Sequence, residues 1–141
     1  NDFKMPTAKR RRRATFSVSQ DFGTLGVIEK QLIMHACESL LQAALAAADL
    51  GHTLILSGQL DQGLAVLGQA FPGIEAIRGD QHYDLIQPLS YLGRTLAQLG
   101  QFEAARAVYE RELSVAEAAV GPEHRFAQEA RARLASIENR P

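Results

Sequence analysis

The side chains in this 141-residue chain that could do chemistry are few and scattered. His35 and Cys37 stand two residues apart, with no further ligand at zinc-like spacing, so Cys37 reads as a small buried hydrophobe. His82 and His124 lie 42 residues apart, which suits equivalent points near helix starts in a repeat better than a metal pair. Neither the G-x-S-x-G serine elbow nor the G-x-x-x-x-G-K phosphate loop occurs. Asp and Glu are spread over faces expected to meet water, and no spacing argues for an acid–base pair. The expectation is a non-enzyme: no catalytic residue, no metal site, no cofactor and no small-molecule substrate.

The sharpest local feature is the basic run at residues 9–13, Lys-Arg-Arg-Arg-Arg. It reads as a solvated charge run, a nuclear-targeting or nucleic-acid contact, an anionic-membrane patch, or a phosphorylation site. Arg12-Arg13-Ala14-Thr15 resembles the pattern favoured by basophilic Ser/Thr kinases, which makes Thr15 the candidate. Residues 1–20 carry a net charge of +5 and the rest −6, a basic tail on an acidic body. The acidic body argues against extended phosphate contact, so a nucleic-acid partner is not expected. Residues 1–26 contain Pro6, Gly23 and Gly26 without a sustained period, and we expect a disordered basic arm or linker there. Folding back of this arm onto the acidic body follows from the opposed charges.

Residues 27–141 are then the folded domain, where alanine and leucine prevail, as in packed helices. The apolar stretch around residues 40–56 is interrupted by Gln42, Asp49, Gly51 and His52, so no membrane span is expected. No signal peptide is apparent, and a single cysteine cannot form an internal disulfide; a reducing, cytoplasmic setting is the natural expectation. Helical periodicity predicts one long or two short helices over 27–57, and another over 60–77 that Pro72 bends or splits near Phe71. Further helices are predicted over 82–99, 102–120 and 123–138. Gly58 and Gly100 should sit in turns, and Asp80 should cap the helix after Gly79. Over 102–120, Phe102, Ala105, Val108, Tyr109 and Leu113 share one face, while Glu103, Arg106, Glu110 and Glu117 face water.

These elements repeat. Leu50-Gly51-His52-Thr53-Leu54 answers to Leu92-Gly93-Arg94-Thr95-Leu96, 42 residues later. Ala65-Val66 matches Ala107-Val108, Glu75-Ala76 matches Glu117-Ala118, and Leu92 recurs as Leu134, so a third copy begins before the chain ends. Such a period marks an architecture in which each unit buries its apolar face against its neighbours, and such scaffolds usually bind rather than catalyse. A period in the forties also fits HEAT or armadillo repeats and propeller blades, but strand-like alternation is missing.

Leu92-Gly93 with Leu96, then Gly100, Phe102, Ala105, Tyr109 and Leu113, resembles the tetratricopeptide repeat signature. Leu50-Gly51, Leu54, Gly58, Leu60, Gly63, Leu67 and Phe71 resemble it again. The 42-residue spacing and the Gly121-Pro122-Glu123-His124 turn look like the longer variant found in kinesin light chains. Tyr83 and Arg125 stand where a proline usually follows the turn histidine, and Glu112 occupies a usually small site. The resemblance implies an all-α solenoid of antiparallel helix pairs, about two and a half repeats, acting as a protein–protein interaction scaffold. Gly93 and Ala105, like Gly51 and Gly63, would be small where paired helices cross, with Phe102 and Tyr109 filling the space to the next pair.

In such repeats the first helix of each pair lines a concave groove. That places Gln87, Ser90, Arg94, Ala97 and Gln98 in the groove in the second copy, and Leu45, Ala48, His52, Ile55 and Leu56 in the first. Arg94, Gln98 and Gln87 would then hold a peptide or helix anchored on Leu45, Ile55 and Leu56. The apolar first set should be covered by the chain's own arm, a second copy in a homo-oligomer, or a partner. The alternative is a regulatory C-terminal repeat region of a larger multidomain protein, such as a Ser/Thr kinase or transcription regulator, with residues 1–26 as linker. The short repeat count and the lack of an initial Met point that way.

Overall fold

The structure is a computed structural model that describes residues 26–140. The basic run at 9–13, Thr15 and nearly all of the arm lie outside those residues. Alanine and leucine favour the helix, and their three- and four-residue spacing gives each helix an apolar face. Among the described residues every regular element is helical: α1 (Val27–Leu56), α2 (Leu60–Gly68), α3 (Ala70–Arg78), a 3-10 turn (Tyr83–Leu85), α4 (Ile86–Gln98), α5 (Phe102–Val120) and α6 (Arg125–Glu138). The all-α expectation holds among the described residues.

The chain divides into two compact units, residues 1–37 and 38–141. Of the first, the described part is the start of α1, where Val27, Ile28, Leu32 and Met34 are exposed. By length and composition alone α1 is long and apolar enough to cross a membrane, a test that the core helix of a folded domain passes as well. Alanines and leucines outweigh Gln42 and Asp49 over its length. From Leu41 onward it buries Leu41, Ala44, Ala48 and Gly51, the face of a packed helix.

The turns show why the chain reverses where it does. Gly58 and Gly100 have φ of +90° and +81°, in the left-handed region that side chains disfavour. There the Gln59 N–H donates to the Leu54 carbonyl, and the Gln101 N–H to the Leu96 carbonyl, at 2.9 Å each. This pattern satisfies carbonyls that the helix end would orphan, and it is the same in both copies. The helix predicted over 60–77 is split at Gln69, which leaves Pro72 in the first turn of α3, where a missing N–H breaks no helical bond.

Asp80 does not cap the next helix. His82 instead caps the 3-10 turn that leads into α4, its Nδ1 accepting the Asp84 N–H at 3.0 Å. His124 repeats the device at the start of α6, accepting the Phe126 N–H at 3.1 Å. The recurring histidines are thus N-caps, and this role requires the ring proton on Nε2.

Equivalent pairs cross at different separations. A Cβ on Gly51 would stand 2.9 Å from the Gly63 carbonyl oxygen and from the Leu67 N, so α1 and α2 meet backbone to backbone. One period later, a Cβ on Gly93 would stand 2.4 Å from Cε1 of Tyr109, so α4 and α5 are separated by a ring. Leu67 and Tyr109 are themselves 42 residues apart and buried. The core runs through Leu67, Ile74, Leu85, Leu89 and Val115, all closed off from solvent. Tyr109 is buried as expected, but Phe102 is only half-buried, with the Arg140 guanidinium 4.1 Å from its ring centroid.

Candidate functional site

A cavity of about 520 Å³ is lined by residues of α1, α4 and α6, the first helices of three successive repeat units. The 42-residue period explains its walls. Positions 45, 87 and 129 hold Leu45, Gln87 and Glu129, and positions 49, 91 and 133 hold Asp49, Tyr91 and Arg133; all six line it. Each successive helix therefore turns the same two positions inward, while the chemistry changes from apolar and acidic to polar, aromatic and charged.

Of the groove residues expected from the resemblance, the structure brings Leu45, Gln87, Ser90 and Arg94 together around this cavity. His52 stacks on Tyr91 with ring centroids 3.7 Å apart and planes 2° from parallel, tying α1 to α4. Ile55 packs inside the first helix pair, its Cγ1 2.6 Å from where a Cβ on Gly63 would lie. Leu56 is 74% exposed and Gln98 is exposed, and neither borders the cavity.

The charges on the walls are mostly paired. Arg125 donates to Glu129 at 2.8 Å, and this bond holds the Glu129 carboxyl below the usual carboxylate range. Asp84 lies 3.5 Å from Arg78. Arg94 makes no ion pair among the described residues; its guanidinium sits 5.7 Å from the Tyr91 ring centroid. The Tyr91 hydroxyl is pushed up by burial and, secondarily, by the negative charge of Asp49. Because Arg94 is exposed and makes no hydrogen bond or ion pair among the described residues, Arg94→Ala should lower stability by no more than about 1 kcal/mol in urea unfolding. A larger loss would make Arg94 a structural partner rather than a residue free to meet a ligand.

Beneath these walls lies Glu112 of α5, fully buried. One period earlier the position is Ala70, also fully buried, so a carboxylate has been placed where the repeat otherwise keeps a methyl group. Arg133 Nη2 donates to Glu112 Oε2, and the two are tightly joined. Glu112 Oε1 and Arg133 Nε are buried and have no hydrogen-bond partner among the described residues. Burial pushes the Glu112 carboxyl up, opposed by the hydrogen bond and charge of Arg133.

Sequence reasoning noted Glu112 as out of place but did not find its partner, and it missed Tyr91, Glu129 and Arg133. Counting 42 onward from Gln87 and Tyr91 reaches both α6 residues, so the signal was present in the period. Among the described residues no group of three or more His, Cys, Asp and Glu is placed to hold a metal ion. His35 is exposed and Cys37 partly buried.

A family model described as Tetratricopeptide repeat matches residues 41–118, more than half of the chain. No curated protein and no solved structure matches it. With paired helices, equivalent glycine turns and a 42-residue period all falling within or beside the matched segment, the chain belongs to the tetratricopeptide repeat family.

Proposed function

We propose that this chain is a protein–protein interaction module that holds an extended peptide segment or helix of a partner against α1, α4 and α6. Tetratricopeptide repeats are in general protein-interaction modules, and the finer reading rests on one observation. Three successive helices turn equivalent positions into a single cavity of about 520 Å³, large enough for a few side chains. Leu45 and Ile86 offer apolar contact, Gln87 and Ser90 offer hydrogen bonds, and Arg94 offers a charge that makes no ion pair among the described residues. A helix-lined surface that mixes these groups suits a peptide main chain with alternating anchors. In this reading Arg94 supplies attraction for an acidic partner group, and Tyr91 stacked on His52 supplies a rigid flat wall.

The test is to select a random displayed-peptide library on the domain and re-measure the selected peptides against Leu45→Asp and Arg94→Glu. Each variant should weaken binding by about tenfold or more, the effect of losing one well-used contact. Selected peptides that bind both variants as tightly as the parent would place the binding surface elsewhere.

A further inference from the structure

Equivalent helix faces in this chain are not equally covered. A sector of α1 about 120° wide and centred on Leu50 holds Ser39, Ala43, Ala46, Thr53 and Leu54, with no charged side chain over 39–57. Ala43, Ala46 and Thr53 are exposed, and Leu50 is 52% exposed. One period later the same positions are Leu85, Pro88, Thr95 and Leu92; the first three are buried and Leu92 packs on the core. Two periods later Ala127 and Ala130 stand where Ala43 and Ala46 do, and both are fully buried. The second helix of the preceding repeat lies against these later copies: α2 against α4, α3 against the 3-10 turn, and α5 against α6. A short turn joins α5 to α6, so the covering helix runs antiparallel to the one it covers. The sector on α1 is ready for the same burial. Its Thr53 hydroxyl already donates to the Asp49 carbonyl at 2.9 Å, as the buried Thr95 hydroxyl does to Tyr91 at 2.8 Å.

The later copies receive their cover through turns that open on left-handed glycines, at 79–82 and 121–124. One period earlier, residues 37–40 are Cys-Glu-Ser-Leu and lie inside α1. The helix therefore runs on, 30 residues in all and about 45 Å long, and Ile28, Leu32 and Ala36 continue its exposed sector. Among the described residues, seven of the nine large apolar side chains left exposed belong to α1. The helix with the open face is thus also the one with apolar surface to spare. We propose that α1 pairs antiparallel with α1 of a second copy, each helix giving the other the cover that a preceding repeat gives α4 and α6. A twofold axis near residue 41 sets Leu32 against Leu50 of the second copy and Ile28 against its Leu54. Ala36, Ser39, Ala43 and Ala46 then meet where the helices cross and are small enough for close approach. The two Asp49 carboxylates stand about 24 Å apart along the axis, whereas a twofold near residue 48 would bring them side by side. Leu45, Ala48 and Asp49, which line the cavity, lie outside this sector, so the pairing goes beyond the groove reading and does not rest on it.

The experiment is sedimentation equilibrium of the full chain over a range of concentrations, with helicity followed by circular dichroism. The parent should be a dimer with a Kd of about 10 μM or tighter. Ala46→Arg and Leu50→Glu change side chains that are exposed in the single copy, so each should keep the parent's helicity and weaken association at least about tenfold. Met34→Glu and Leu56→Glu alter residues just as exposed but outside the sector, and both should stay dimeric. In a Cys37→Ala background, nitroxide labels on Gln42→Cys should approach within about 20 Å across the dimer, while labels on Leu56→Cys should stay about 45 Å apart. Equal distances at the two sites would overturn the antiparallel arrangement. A parent that is monomeric throughout, a dimer that survives Ala46→Arg and Leu50→Glu, or one broken equally by the two control variants would overturn the proposal. A monomeric parent that floats with phosphatidylcholine vesicles would overturn it in favour of a lipid surface.

Discussion

Arg133→Met should destabilise the fold by about 3–5 kcal/mol at pH 8, and by clearly less at pH 5. The reason is the partner it strands. Glu112 is fully buried, and Arg133 is its one side-chain hydrogen-bond donor among the described residues. Without that guanidinium, an ionised Glu112 would keep only the weaker pull of Arg94 in a low-dielectric site, and protonating it relieves the cost. The sign of the pH dependence follows. Glu112 already has a folded-state pKa above its ordinary 4.5 because burial outweighs the pull of Arg133. Below the ordinary value both folded and unfolded chains hold the proton, and pH makes no difference. Between that value and the raised folded one, the folded chain binds more protons, so stability falls as pH rises. Removing Arg133 raises the folded value further and extends that falling window upward. Chemical denaturation of parent and variant at several pH values reads this directly. Equal losses at pH 5 and pH 8 would show that Glu112 is not the group left stranded. The Glu112→Met, Arg133→Met double variant should instead lie within about 1 kcal/mol of the parent or be more stable, because both charges leave together.

Much of the fold was legible because its determinants are local. Gly58 and Gly100 are needed wherever a helix turns back through a left-handed residue, and a glycine after an amphipathic run announces that. Pro72 must stand near a helix start, so the split at Gln69 could be placed to within a few residues. Asp80 misled because aspartate is a common N-cap, whereas this chain starts its helix later and uses a histidine nitrogen. The histidines recur with the period, and that recurrence carried more information than the residue type.

The cavity was legible only in part. Periodicity says which positions are equivalent, and the inward turning of 45 and 87 follows once a family geometry is assumed. What it cannot say is that α6 supplies a wall, because by residue type alone Glu129 and Arg133 are ordinary solvent-facing charges on a short, polar helix. Glu112 carried the opposite signal: a charge at a site that is alanine one period earlier. A carboxylate there is tolerable only if another element brings a cation, and α6 is the next helix to pack on α5. Phe102 was read as filled-in core because aromatic residues at that place meet a following pair. Here the Arg140 guanidinium lies 4.1 Å from its ring centroid instead, and it stays half-buried.

Tyr109→Ala should cost about 3–5 kcal/mol, the range for losing a buried aromatic, and Gly93 gives a way to check where that energy resides. Gly93→Ala alone puts a methyl group 2.4 Å from Tyr109 Cε1, too close for any contact, and the ring is wedged in the core at 3% exposure. Overpacking of this kind costs about 1–3 kcal/mol. With Tyr109 already cut to alanine, the same methyl enters the vacated space, and helix propensity then favours alanine over glycine by about 0.5–1 kcal/mol. The two changes should therefore be strongly non-additive, with Gly93→Ala neutral or stabilising in the Tyr109→Ala background. The equivalent cycle one repeat earlier should behave differently. Gly51→Ala collides with the Gly63 carbonyl oxygen and the Leu67 N as well as with Leu67 Cβ, each at 2.9 Å. Two of those three are backbone atoms, and alanine keeps Cβ, so Leu67→Ala opens no room and Gly51→Ala should stay destabilising on top of it. Urea unfolding of the four single and two double variants separates the cases. Rescue in the first repeat, or none in the second, would mean that the helix pairs do not cross as ring against glycine in one copy and backbone against backbone in the other.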